Sequence, residues 1–124
     1  RRVSGPFIAN LPEFDCLLRI GMHPHVNPVV DYELLARSPV APSKSGCYDR
    51  LSLIMPRAAY DMQSFIYDSK KFLSCAKMAT CHLLLAVEFI HSRRIMHLDI
   101  KPSNLLWHRI GNERQLRICD FGLS

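Results

Sequence analysis

Apolar residues near the start of the chain recur at helical spacing. Phe14, Leu17, Leu18 and Met22 stand at i, i+3, i+4 and i+8, which predicts a helix over Leu11–Met22 with one buried face. Asn10 can cap it, Pro12 suits its first turn and Gly21 can close it. His23 precedes Pro24, and a residue before proline is pushed out of the helical region. Val26–Leu35, containing Val29, Val30 and Tyr32, reads as a strand-like run. The stretch 36–49, "ARSPVAPSKSGCYD", is rich in Ser, Pro, Gly and Lys and reads as a long exposed loop.

"LSLIM" (Leu51–Met55) is a short apolar strand ended by Pro56, and Met62, Phe65 and Ile66 line one side of a short helix from Asp61 to Tyr67. In Phe72–His91 nearly every residue is apolar or small, so this long helix is predicted to be buried almost all round. Leu105–Trp107 and Leu116–Cys119 form two short strands, with Gly111-Asn112 as a hairpin turn between them. The order is helix, strand, loop, strand, short helix, long helix, polar loop and hairpin, an α+β chain without internal repeats.

Composition narrows the function. A length of 124 residues fits one small domain, and 48% hydrophobic with 22% charged residues is the balance of a folded protein. The longest uninterrupted apolar run, Leu83–Val87, is too short to cross a bilayer, so no membrane partner is expected. The net charge of +5 is scattered from Arg2 to Arg117 without a basic stripe interleaved with aromatics, so no nucleic-acid partner is expected either. Five cysteines lack any C-x-x-C pair and mostly sit among apolar neighbours. They read as buried thiols in a reducing compartment, which predicts an intracellular location, cytoplasmic or nuclear. His23, His25, Cys81 and His82 lack a second ligand pair at zinc-finger spacing, so no zinc site is expected. With no initiator Met and no leader, the chain is expected to be a piece of a longer protein.

The chemistry concentrates in "HLDIKPSNLLW" (His97–Trp107), a polar loop fed by the long helix and returned through the hairpin. Asp99 is a potential general base, and Lys101 is a cation able to neutralise a transferring anion. Asn104 offers an amide oxygen suited to magnesium, and Asp120 adds a carboxylate one hairpin later. Each residue alone is an ordinary turn former. Together, a base, a cation and two oxygen ligands describe phosphoryl transfer.

"HLDIKPSNLL" followed by "ICDFGLS" resembles the catalytic loop and metal-binding segment of the eukaryotic protein kinases, at the family's spacing. Leu11–Met22 with "HPHV" resembles the small-lobe helix and its turn, "RLSLIMPRAAYDMQSFI" the last small-lobe strand, hinge and following helix, and Phe72–Ser92 the large-lobe helix before the loop. The resemblance implies a partial bilobal fold: a small-lobe part at 1–57 with its loop at 36–49, and a hinge and large-lobe part at 58–124. The catalytic loop would be 97–104 and the metal segment 120–122. It implies ATP and Mg²⁺ as cofactors and protein hydroxyls as substrate, with Asp99 orienting or deprotonating the hydroxyl, Lys101 at the γ-phosphate, and Asn104 with Asp120 on the metal. Met55 would be the gatekeeper, the Pro56 carbonyl and Ala58 backbone would meet adenine, Asp61 would reach the ribose, Leu106 would form the adenine floor and Cys119 would lie beside the nucleotide. His97 and Phe121 would stack with Leu18 and Val29 in an apolar column. Lys101 followed by Pro102 resembles serine/threonine kinases. Ser4 in "RRVS" resembles a site for basophilic kinases, although a basic start with a chance serine explains it as well.

Three departures qualify the resemblance. Leu98 stands where many members carry the arginine that pairs with a phosphorylated activation loop, and in having an apolar residue there the loop resembles the Mos and Wee kinases. Counting back from "HP" puts Phe14 where the family has its helix glutamate, with Glu13 one residue off and the nearest candidate. No glycine-rich phosphate loop or strand lysine stands in the chain. The chain is therefore expected to be an incomplete catalytic domain, inactive and unstable alone. The alternatives are a pseudokinase or scaffold module that uses the fold for binding, and a small-molecule kinase. The substrate, regulation and oligomeric state are not written in the sequence.

Overall fold

A computed structural model describes residues 12–36 and 48–124. Helix α1 covers Pro12–Ile20. It stops short of the expected Met22 because Gly21 adopts φ 76° and donates its N–H to the Leu17 carbonyl at 3.4 Å, a left-handed cap. Two strands follow, β1 (Asp31–Ala36) and β2 (Tyr48–Ile54), paired antiparallel with Asp31 opposite Ile54 and an irregularity between Leu35 and Ala36.

The expected strand from Val26 begins later. Val26 makes only an isolated parallel bridge to Ile118, and Pro28 has no N–H to carry a ladder onward. At the ends of the expected loop 36–49, Ala36, Tyr48 and Asp49 are strand. Its residues 37–47 lie outside the described residues, as do Ser4, Asn10 and Cys47.

A second sheet has the order β3-β4-β5, with β3 at Tyr60–Asp61, β4 at Leu105–Ile110 and β5 at Glu113–Ile118. The hairpin strands run longer than their apolar letters predict. Gly111, at φ 61°, opens a two-residue turn, so the polar residues Arg109 and Arg114 also pair. Helix α2 is short, Gln63–Ile66, and α3 runs from Ser69 to Ser92.

Burial of α3 differs from the expectation. Cys75, Ala79, Ala86 and Ile90 form a buried stripe, whereas Leu73, Leu84 and Leu85 are exposed. Among the described residues the helix packs against α2 and β5, which cover one face only. The small residues Ala79 and Ala86 belong to that buried stripe. By length and hydropathy the window Phe72–Ser92 could cross a membrane, which the short Leu83–Val87 run does not reveal. The core gathers Ile20, Val26, Ile90, Trp107, Leu116, Ile118 and Phe121. Cys16 and Cys75 are buried and Cys81 is exposed. Leu18 is 63% exposed and stands outside the apolar column expected for it; Leu17, one residue earlier on α1, is the buried one.

Candidate active site

Chain geometry fixes the polar loop before any side chain acts. Leu98 adopts φ 59°, which turns the backbone between His97 and Asp99. His97 is buried and donates from Nε2 to the Cys119 carbonyl at 2.9 Å, while its Nδ1 accepts the Asp99 N–H at 3.3 Å. Its ring lies 4.7 Å from that of Phe121. A turn of 3₁₀ helix at Pro102–Asn104 starts with proline, whose missing N–H is harmless there. The Asn104 carbonyl then accepts the Cys119 N–H at 3.0 Å. Both sides of the segment before Asp120 are thus tied to the loop.

Asp99, Lys101 and Asn104 converge. Lys101 Nζ lies 2.6 Å from Asp99 Oδ2. Asn104 Nδ2 donates to both the backbone oxygen and Oδ2 of Asp99, each at 3.0 Å. The hydrogen bond from Lys101 is the main cause that holds the Asp99 carboxyl below the ordinary carboxylate range. Lys101 is raised in turn, first by Asp99 and then by the charge of Asp120.

Asp120 itself adopts φ 67° and is exposed, with Oδ1 accepting the Gly122 N–H at 3.3 Å. A Cβ on Gly122 would lie 3.2 Å from that oxygen, so glycine leaves the room the carboxylate occupies. With the Asn104 NH₂ directed at Asp99, the atom of that amide left for a cation is Oδ1. An amide oxygen and a carboxylate are the hard donors magnesium takes, so these side chains fit the ion. Among the described residues no group of three His, Cys, Asp or Glu comes together.

The residues expected to form the hinge run beside β4. Ala59 N–H bonds the Trp107 carbonyl at 2.9 Å and Met62 N–H the Leu105 carbonyl at 2.8 Å, so the Met55–Asp61 segment is fastened beside Leu106. Tyr60 pairs with Trp107, and Asp61 pairs directly with Leu106. The Asp61 carboxylate caps α2, accepting the Ser64 N–H at 2.8 Å and its hydroxyl at 2.7 Å, and these bonds lower its pKa. Met55, Pro56 and Ala58 are half-buried. The Met55 sulfur receives the Asn27 amide at 3.5 Å. Glu13 lies on α1 with its side chain outside the described residues, and the adjacent Phe14 is 3% exposed, edge-on to Tyr32 with centroids 5.1 Å apart.

Sequence reasoning weighed His23, His25 and His82 only as zinc ligands and did not foresee that they meet around β5. His25 and His82 rings stack with centroids 4.1 Å apart, and His23 stacks on Phe89 at 4.4 Å. One signal was legible: His82 falls on the buried face of α3, between Ala79 and Ala86.

Comparison with known proteins agrees with this layout. The family model for the protein kinase domain matches residues 12–124. A probable cyclin-dependent serine/threonine-protein kinase of Dictyostelium discoideum is 42% identical over 78 residues, 61% of this chain and 5% of that protein. Ribosomal protein S6 kinase 2 alpha of Gallus gallus is 31% identical over 115 residues, 90% of this chain. The chain spans only 14% of that relative's length. A solved MAP kinase of Leishmania major superposes with a TM-score of 0.69 at 24% identity, covering 92% of this chain and 31% of its own. The fold is a partial kinase fold of mixed helix and sheet, and the chain belongs to the protein kinase domain family.

Proposed function

We propose that the chain supplies the hinge, catalytic loop and metal segment of an ATP- and Mg²⁺-dependent kinase that phosphorylates serine or threonine hydroxyls of protein substrates. The observation that carries this reading is the convergence of Lys101 and Asn104 on Asp99 Oδ2, beside a segment leading to Asp120 that is bonded on both sides. With Oδ2 so occupied, Asp99 Oδ1 is the oxygen available to a substrate hydroxyl. The lowered pKa keeps Asp99 charged near neutrality, so it orients the hydroxyl first and takes its proton late in the transfer. Lys101 is a compact cation on a flexible stem, able to swing from Asp99 toward transferring phosphoryl oxygens. Asn104 Oδ1 and an Asp120 oxygen are the ligands for magnesium, which when bound shields phosphate charge. Pro56, Ala58, Asp61, Leu106 and Cys119 border the nucleotide in this reading, with Met55 as gatekeeper.

Leu98 is exposed and carries no charge. It cannot pair with an activation-loop phosphate, so activity in this reading does not depend on one, a property shared with the Mos-like and Wee-like pattern. An intracellular, cytoplasmic or nuclear location belongs to the same proposal.

The experiment is phosphate transfer by the full-length protein to serine, threonine and tyrosine peptides, beside sugars and aminoglycosides. Asp99→Asn is expected to lower the rate on serine and threonine peptides by roughly 10²–10⁴-fold. Equal transfer by both proteins removes the catalytic assignment, and transfer to sugars alone moves the substrate class. A second reading, a pseudokinase or scaffold module, draws on Phe14: an apolar ring is buried where the family's glutamate would stand. Nucleotide binding without transfer would favour it.

A further inference from the structure

β5 is an edge strand, and the groups that cover its edge are histidines. The outward N–H of Leu116 donates to His82 Nδ1 at 3.2 Å, and its outward carbonyl receives His25 Nδ1 at 3.0 Å. Two residues on, the Ile118 N–H bonds the His25 carbonyl and the Ile118 carbonyl accepts the Asn27 N–H, both at 2.9 Å. Such edge groups need partners when buried, and here an α3 side chain and the turn after α1 supply them. His23 Nδ1 accepts the His25 N–H at 3.2 Å and so braces the turn.

These bonds dictate protonation. A carbonyl only accepts, so His25 carries a proton on Nδ1. An N–H only donates, so Nδ1 of His82 and of His23 must be bare, and each neutral ring keeps its proton on Nε2. Taking up a second proton places it on Nδ1, against the donor already there. For His82 that ejects the Leu116 N–H from its acceptor.

We propose that His25 and His82 form a pH-sensitive clamp on the Leu116 peptide, which positions the strand leading to Asp120 while His82 is neutral and releases it when His82 is protonated. The link to activity rests on the kinase reading, in which Asp120 holds the metal; the clamp itself does not. Burial, and next the charge of His25, lower the pKa of both His82 and His23 below 6.5. Groups facing the cluster are His23 and His25 from the turn, Trp107 of β4 at 6.3 Å from His82, the Leu116 peptide of β5, and Phe89 of α3 with Arg93 over its ring at 5.1 Å. Among the described residues no carboxylate acts on either ring to favour its cation. The release therefore falls below pH 6.5, as the medium passes through the lowered value.

The test uses the full-length protein. The ¹⁵N shifts of His82 should show the Nε2–H form above pH 7, and the Leu116 amide protection factor should fall by up to about tenfold per pH unit as the pH drops toward the His82 midpoint and level off below it. In His82→Asn, an amide oxygen replaces Nδ1 and does not titrate, so protection should stay within about twofold. His25→Asn removes one facing charge and should raise the His82 midpoint, which keeps the test available if His82→Asn does not fold. A flat protection factor in the wild type, or the same fall in His82→Asn, overturns the clamp. For positioning, the KM for Mg·ATP should rise in acid in the wild type and rise less in His82→Asn; identical pH profiles overturn that part. Absence of transfer at neutral pH instead sinks the kinase reading, and the exchange result stands apart from it.

Discussion

His97 Nε2 donates to the carbonyl oxygen of Cys119, twenty-two positions later, at 2.9 Å. This bond joins the start of the proposed catalytic loop to the residue before Asp120, and the buried Phe121 ring lies tilted against the His97 ring, 4.7 Å away. His97→Phe keeps the apolar contact and deletes the donor. The variant is expected to lose about 1–3 kcal/mol of stability, the range for a buried group left without its partner. Urea unfolding should show a lower midpoint at unchanged slope, and Mg·ATP affinity should fall as the Asp120 segment loosens. An unchanged midpoint would show that water replaces the donor.

Gly122→Ala tests the room beside Asp120. Its Cβ would meet Asp120 Oδ1 at 3.2 Å, so the carboxylate must yield by a few tenths of an ångström. Gly122 is exposed, so global stability should change by less than about 0.5 kcal/mol. The Mg²⁺ concentration for half-maximal transfer should rise several-fold. The pair of measurements, calorimetry and a metal titration, separates a local from a global effect.

His108 is buried on β4 with Nε2 unpartnered among the described residues. Burial first, then Arg117, lowers its pKa below 6.5. A lowered histidine is neutral in the fold and charges more readily when unfolded, so it supports the fold above pH 6.5 and progressively opposes it as pH falls through the lowered value. His108→Leu removes the orphaned nitrogen and is expected to gain about 1 kcal/mol. The gain should be larger at pH 5.5 than at pH 7.5, read from urea midpoints at the two values.

Leu98 predicts indifference to activation-loop phosphate. Broad phosphatase treatment of the full-length protein should leave transfer unchanged within about twofold, because Leu98 offers no cation for a phosphate to hold. Activity lost on treatment and regained on rephosphorylation would falsify this expectation.

Local chemistry made parts of the fold readable. Gly21 and His23-Pro24 marked the end of α1, and Gly111-Asn112 marked the hairpin, because each is a short-range backbone constraint. The grouping of Asp99, Lys101 and Asn104 was readable because their bonds to one another span five residues or fewer. The two-residue strand Tyr60–Asp61 was not, since its pairing partners lie near residue 107 and no local period announces it. The apolar letters of α3 misled in another way: they record an affinity for cover, not which neighbours supply it. Leu17 and Leu18 are chemically alike, and only the placement of α1 decides which is buried. The meeting of His25 with His82, fifty-seven positions apart, depends wholly on α3 packing against β5.

The β4–β5 hairpin leaves a final consequence. Its base pairs Leu105 with Ile118, which seats Asn104 next to Cys119 and so near Asp120, while its tip at Gly111-Asn112 bears on neither. Residues inserted at the tip would lengthen the count between the two oxygen donors without parting them. A motif search that fixes that count would overlook relatives whose ladder has merely grown, whereas one anchored on the two ends would recover them.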